Sequence, residues 1–208
     1  VSFHGSNRMI HERLTRTPGS FEHTLKSIYN LSFFKRYYKF DFHINFTLNK
    51  INSFDLYNFL KLLSIFEIDN IVINVVIPQG RGLRFFEALI SDYRSLVNSF
   101  KLAVDKLKRN SELQKNPTLI KRNEFNIQIL ALPVCLLVGY EEYIGRFEKI
   151  LMNKPSFKEC SRTEIREIDR AKRVKIEECK ECKYYQSCEG VWKEYIKRRG
   201  WSEFVPVR

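Results

Sequence analysis

Three of the five cysteines lie within ten residues, at Cys179, Cys182 and Cys188, spaced C-x2-C-x5-C. A C-x2-C turn lets two sulfurs converge while neighbouring backbone N–H groups point at a bound centre. Thiolates this dense bind zinc or an iron–sulfur cluster, and either takes four ligands, one more than the cluster supplies. Cys135 and Cys160 are the other two thiols. Cys135 follows an apolar run and Pro133, whose rigid backbone suits it to aim a side chain, whereas Cys160 sits in the polar "FKECSR". Position favours Cys135 over Cys160, although a lone thiol is more often a small buried hydrophobe. Cys188 is expected where the last helix begins, so that the positive helix end favours its thiolate. Spacing alone does not separate zinc from iron–sulfur. Zinc ribbons are common, but they usually show two C-x2-C knuckles and only one is present.

The elements that must position these thiols begin with a short strand, "VSFHG" at 1–5. Ser20 is a plausible N-cap for a helix through Phe21, Leu25, Ile28 and Leu31. "KFDFHINFTLNK" alternates, with Phe40, Phe42, Ile44, Phe46 and Leu48 on one side and Asp41, His43, Asn45, Thr47 and Asn49 on the other. A helix through Leu56, Phe59, Leu60 and Leu63, the strand "NIVINVVIP" and a long helix from about Phe85 to Leu107 follow. The β-α-β-α-β-α order implies parallel strands with helical crossovers. Residues 108–123 read as a polar loop and "FNIQILALPVC" as a further strand. "EEYIGRFEKILM" reads as a short helix, "SRTE" at 161–164 as a capping box, and the chain's last helix ends at Gly200.

Parallel strands buried on both sides are apolar on both faces. Here Ser2, His4, His43, Asn45, Thr47, Asn49 and Asn74 give one face a polar row. In a partial (β/α) barrel the outer face packs on helices, and such a row would line the lumen where a polar ligand sits. An open sheet with one wet face is the plainer explanation. The fold class expected is therefore α/β, a partial (β/α) barrel of parallel strands with a small cysteine-rich C-terminal extension. The two parts are residues 1–122 and 123–208.

The net charge of +12 favours an anionic partner, unless it is only a Lys/Glu-rich surface leaning positive. The odd cysteine count argues against a disulfide framework and for reducing cytoplasm. The longest apolar run, "ILALPVCLLVGY", is broken by Pro133 and falls short of the roughly 20 residues of a membrane span. No membrane partner is expected.

The chain resembles the C-terminal two-thirds of a radical S-adenosylmethionine (radical SAM) enzyme over nearly its whole length. "VSFHGSNRMIHERLTRTPGSFEHTLKSIYNL" is similar to that family's fourth strand and helix, "FTLNKINSFDLYNFLKLL" with Asn52 to the fifth, and "VVIPQGRG" to the end of the sixth. "PVC" at 133–135, then C-x2-C-x5-C-x-G, Tyr195, Gly200, Glu203 and Pro206 resemble the auxiliary-cluster extension of twitch and related types. The resemblance implies a [4Fe–4S] cluster on Cys135, Cys179, Cys182 and Cys188. It places Ser2 and Asn45, Thr47 or Asn49 near the ribose and carboxylate of SAM, with Val76 to Pro78 beside the adenine through backbone contacts. His4 and Asn74 join this cofactor face through the polar row. His4, His11 and His43 are the candidate proton carriers, none with a clear role.

The sequence departs from the family in one decisive respect. It has no C-x3-C-x2-C motif, which holds the cluster that cleaves SAM, and no Gly-Gly-Glu segment. Val1 in apparent mid-strand fits a chain lacking its N-terminal third, and these 208 residues alone should not cleave SAM. The expected function is thus the C-terminal part of an oxidoreductase or modifying enzyme, inactive until completed by a separately encoded or missing N-terminal half. Its substrate would be a peptide, nucleic acid or other anionic molecule. The competing reading is a zinc-containing nucleic-acid-binding module, supported by the charge and by "KYYQ" and "VWKEYIKRR". A structural partner that completes a barrel is the third.

Overall fold

A computed structural model describes residues 1–113, 125–145 and 171–208. The expected capping box at 161–164, Cys160 and most of the 108–123 and 141–152 segments lie outside the described residues. The chain forms a mixed α/β structure around three parallel strands in sequence order: β1 (His43–Leu48), β2 (Asn70–Val75) and β3 (Asn126–Leu130). Residues 1–3 add a parallel rung outside β1, with the Phe3 N–H donating to the Asn45 carbonyl at 2.9 Å. The strand expected at 1–5 is no longer than this. β3, which the sequence placed in the second part, hydrogen-bonds into the sheet of the first.

The alternation in "FDFHINFTL" becomes the packing. Phe42, Ile44, Phe46 and Leu48 are all buried. The register sets Ile44, Ile71 and Ile127 in one buried row and Phe46, Ile73 and Ile129 in the next. α3 (Leu56–Leu63) and α6 (Tyr93–Leu113) cover this face. Leu56, Phe59, Leu60 and Leu63 are fully buried, and the Phe59 ring lies 4.3 Å from that of Phe46.

α1 (Arg8–Thr15) and α2 (Ser20–Phe34) connect the first rung to β1. Ser20 does not cap α2. Gly19 occupies that position at φ 78°, and the Ser20 hydroxyl pairs with that of Thr15. Glu12 takes over the cap, accepting from the Gly19 N–H at 2.8 Å.

The single helix expected from about Phe85 to Leu107 is two, preceded by a separate turn and continuing to Leu113. α4 (Arg81–Arg84) and α5 (Phe86–Leu89) are single turns, Ile90 is extended, and α6 then begins. The break follows from two hydrogen bonds: Lys50 N–H takes the Leu89 carbonyl, and Asp92 carbonyl accepts from Leu96 N–H to start the new helix.

The tail consists of the two-residue ribbon β4 (Arg173–Val174) and β5 (Val191–Trp192), then α7 (Lys193–Arg199). α7 ends at Gly200, as expected, with φ 73°. A clasp docks this tail on the start of α6. The buried Tyr195 hydroxyl accepts from the Tyr93 N–H at 3.1 Å and donates to Glu203 Oε1. The two tyrosine rings stack with centroids 4.1 Å apart. Glu203 Oε2 accepts from the Arg94 N–H at 2.8 Å, so a phenol and a carboxylate satisfy the first N–H groups of α6.

Tyr195→Phe keeps the stacked ring but strands a buried N–H. It is expected to cost about 1–3 kcal/mol, read as a lower midpoint in urea unfolding.

Candidate functional site

Two places gather the residues the sequence singled out. The first is the sheet face opposite the helices. Register aligns Asn45 with Val72 and Gln128, and Thr47 with Asn74 and Leu130, while Ser2 bridges Asn45. Ser2 and Asn45 are exposed, and Thr47 and Asn74 are half-buried. None of these four side chains makes a hydrogen bond to another described residue, so their donors and acceptors are open to a ligand.

His4 and Asn49 are engaged instead. The Thr47 N–H donates to His4 Nδ1 at 3.2 Å, and the His4 N–H donates to His11 Nδ1 at 3.1 Å. Asn49 is buried, its amide donating to the Thr47 carbonyl and its Oδ1 accepting from the Ile51 N–H. Asn52, which precedes α3, ties the same corner: its Nδ2 donates to the carbonyls of His4 and Thr47, and its Oδ1 accepts from the Asn49 N–H. Val76 is half-buried and its N–H already serves the Leu48 carbonyl at 2.9 Å. Asn49 and Asn52 thus build the strand-end loop on which Thr47 sits.

Burial, with His11 nearby, lowers the His4 pKa to about 4. Burial also lowers that of His11, against the opposing pull of Glu12. Two neutral imidazoles accepting backbone N–H groups are positioning residues here.

The second place is a pocket at the tail. Cys135, Cys179, Cys182 and Cys188 all line it, with Pro133, Val174, Val191, Phe204 and Pro206 supplying apolar walls. Cys135 is brought there by an unusual backbone. Ala131 takes φ 67°, a left-handed conformation that non-glycine residues seldom adopt, and turns the chain off β3. Pro133 then leads into the 3-10 turn Val134–Leu137 that carries Cys135.

Cys179 sits in the 3-10 turn Glu177–Glu181, and the Cys182 N–H donates to the Cys179 carbonyl at 3.0 Å. Backbone N–H groups reach two of the sulfurs: Val207 N–H to Cys182 Sγ and Gly190 N–H to Cys188 Sγ, each at 3.4 Å. The Lys183 N–H bonds the Val207 carbonyl at 2.8 Å, fixing the C-terminal segment over the C-x2-C turn.

Burial pushes the Cys135 thiol up to about 12, and the neighbouring Cys188, Cys182 and Cys179 push in the same direction. Burial likewise raises Cys179. Cys135 and Cys179 therefore resist ionising unless a cation shares the pocket. Among the described residues, no group of three or more His, Cys, Asp or Glu side chains is placed to hold a metal ion.

The expectation for Cys188 changes. α7 starts at Lys193, with β5 in between, so Cys188 is not at a helix N-terminus. Val191 and Trp192 pair with β4 and lie outside the helix. Trp192 and Tyr195, offered by the sequence as stacking rings, are buried, and Trp192 lies under the Arg173 guanidinium at 4.1 Å.

What the sequence reading missed is the double role of Gly190. It has φ 85°, and a Cβ there would stand 2.6 Å from the Val174 carbonyl oxygen. The C-x-G spacing was the available signal.

No known family, characterised protein or solved structure matches this chain. Among the described residues, no helix is long and apolar enough to cross a membrane.

Two outcomes are expected. Gly190→Ala strains the β4–β5 ribbon by at least about 1 kcal/mol, measured as faster amide exchange at Val191 and Trp192. The pH dependence follows from His4. The unfolded chain protonates it near its ordinary 6.5 while the folded chain resists until about 4. Its contribution is intact above 6.5 and is lost as pH falls through that window. Urea midpoints measured across it should fall, and His4→Asn, whose Oδ1 can still accept the Thr47 N–H, should flatten the fall.

Proposed function

We propose that the chain is the C-terminal part of a radical SAM-type enzyme, carrying an auxiliary [4Fe–4S] cluster on Cys135, Cys179, Cys182 and Cys188. The observation that carries this reading is the pocket shared by Cys135 and the C-x2-C-x5-C thiols, across 43 residues of intervening sequence.

The donor set fits the group. Four thiolates, apolar walls and N–H groups on two sulfurs are the surroundings in which iron–sulfur clusters are held. A single zinc ion needs each sulfur about 2.3 Å from one centre. All four cysteines line one pocket, a donor set that an iron–sulfur cluster takes and that zinc also accepts. When bound, such a cluster supplies electron relay or a ligation point for substrate. The protein's own part is to exclude water with Phe204 and Pro206 and to orient the sulfurs through Val207 and Gly190.

The parallel sheet is read as a segment of a (β/α) barrel, with the row of Ser2, Asn45, Thr47 and Asn74 facing its lumen. Unpartnered hydroxyls and amides there suit the ribose and carboxylate of SAM. His4, Asn49 and Val76 enter this reading as supports of the loop that presents Thr47. The chain lacks the C-x3-C-x2-C motif, so by itself it is catalytically incomplete. The zinc-containing nucleic-acid module remains the competing function, without the help of Trp192 and Tyr195, whose rings are covered.

Reconstitution with ferrous iron and sulfide under anaerobic conditions is the test. Brown protein with about four irons per chain is expected. Cys135→Ser should lose most of that iron, and Cys160→Ser should keep it. Colourless protein with one zinc per chain, or iron content indifferent to Cys135→Ser, overturns the assignment.

A further inference from the structure

We propose that the aromatic ridge at the C-terminal end of α2 is a stacking platform for single-stranded nucleic acid. Tyr29, Phe33, Phe34, Tyr37 and Tyr38 are 62%, 43%, 47%, 68% and 64% exposed. Exposed rings gathered this densely mark a contact surface. Four of them are in ring contact: Phe33 lies 5.4 Å from Tyr37, Phe34 6.1 Å from Tyr38, and Phe33 5.9 Å from Phe34, with Tyr29 one turn before Phe33 on the same helix.

The charge around the ridge selects the partner. No acidic residue occurs between Glu22 and Asp41. Lys35 and Arg36 are bound to Asp69 and Glu67, which fixes the turn at the base of the ridge. Lys26 and Lys39 make no ion pair with any described residue. Rings flanked by uncompensated cations, on a chain of net charge +12, complement a polyanion with bases to stack. A membrane-inserting face would expose aliphatic side chains as well. Here Leu25, Ile28 and Leu31 turn to the core, and three of the five outward rings carry hydroxyls. The ridge is on α2, apart from the tail cysteines, and does not rest on the iron reading.

The test uses the full chain and fluorescein-labelled oligo-U and oligo-dT of about 16 nucleotides, followed by fluorescence anisotropy from about 50 to 200 mM salt. Binding that weakens with salt is expected. A chain carrying Tyr29→Ala, Phe33→Ala and Tyr37→Ala should bind at least about tenfold more weakly with an unchanged thermal midpoint. Phe54→Ala, at a ring 74% exposed elsewhere on the chain, should bind as the parent does. Lys26→Glu with Lys39→Glu should flatten the salt dependence. Absence of binding at the lowest salt overturns the proposal, as does a triple variant of undiminished affinity. So does a triple variant that loses only phosphatidylserine-vesicle binding or only self-association. Iron content, unaffected by these changes, keeps this outcome separate from that of the cluster.

Discussion

The Tyr195 hydroxyl is the interaction on which the arrangement turns. It accepts the Tyr93 N–H and donates to Glu203, so one buried phenol joins the start of α6 to α7 and to the segment that follows it. α6 is packed on α3 and through it on the sheet. Cys135 belongs to the segment leaving β3, whereas Cys179, Cys182 and Cys188 belong to the tail. Only a tail held in a fixed position can bring the two sets of sulfurs to one pocket. Burial raises the Tyr195 pKa further, so the phenol stays a donor at any ordinary pH.

The pocket is therefore a seam between a sheet built early in the chain and a short tail with little core of its own. The tail has a two-residue ribbon, one turn-rich cysteine segment and a seven-residue helix. Segments this small seldom hold themselves together without a metal or docking partner. Supplementary ties exist: Tyr184 donates to Glu141 at 2.5 Å, and Arg199 pairs with Glu87 at 2.7 Å. Both are exposed and contribute little. A bound cluster in the pocket would add to the clasp, since metal binding free energy is also folding free energy.

The sheet shows a complementary division of labour. One face is filled by Ile, Phe and Leu against helices; the other mixes hydroxyls and amides with the buried Val72 and Leu130. At the ends of the strands the polar residues split into two groups. Asn49, Asn52, His4 and His11 spend their hydrogen bonds on backbone, because a loop leaving a parallel strand has N–H and carbonyl groups that the ladder no longer satisfies. Ser2, Asn45, Thr47 and Asn74 lie along the strands and their first rung, and their side chains make no hydrogen bond to another described residue.

Period-two alternation in residues 40–48 determined β1, its buried face and the parallel α/β character, because side chains on a strand must alternate. The 3.6-residue spacing did the same for α3, Gly200 marked the end of α7, and the C-x2-C-x5-C spacing announced a multi-thiol site. Other features depended on contacts between residues far apart in the chain. The break at Ile90 is made by Lys50, the burial of Trp192 by Arg173, the engagement of His4 by Thr47, and the approach of Cys135 to the other cysteines by the Tyr195 clasp. A local pattern records which face of an element is apolar. It carries no record of which distant N–H or carbonyl will need a partner once the elements pack, and that need decided these four.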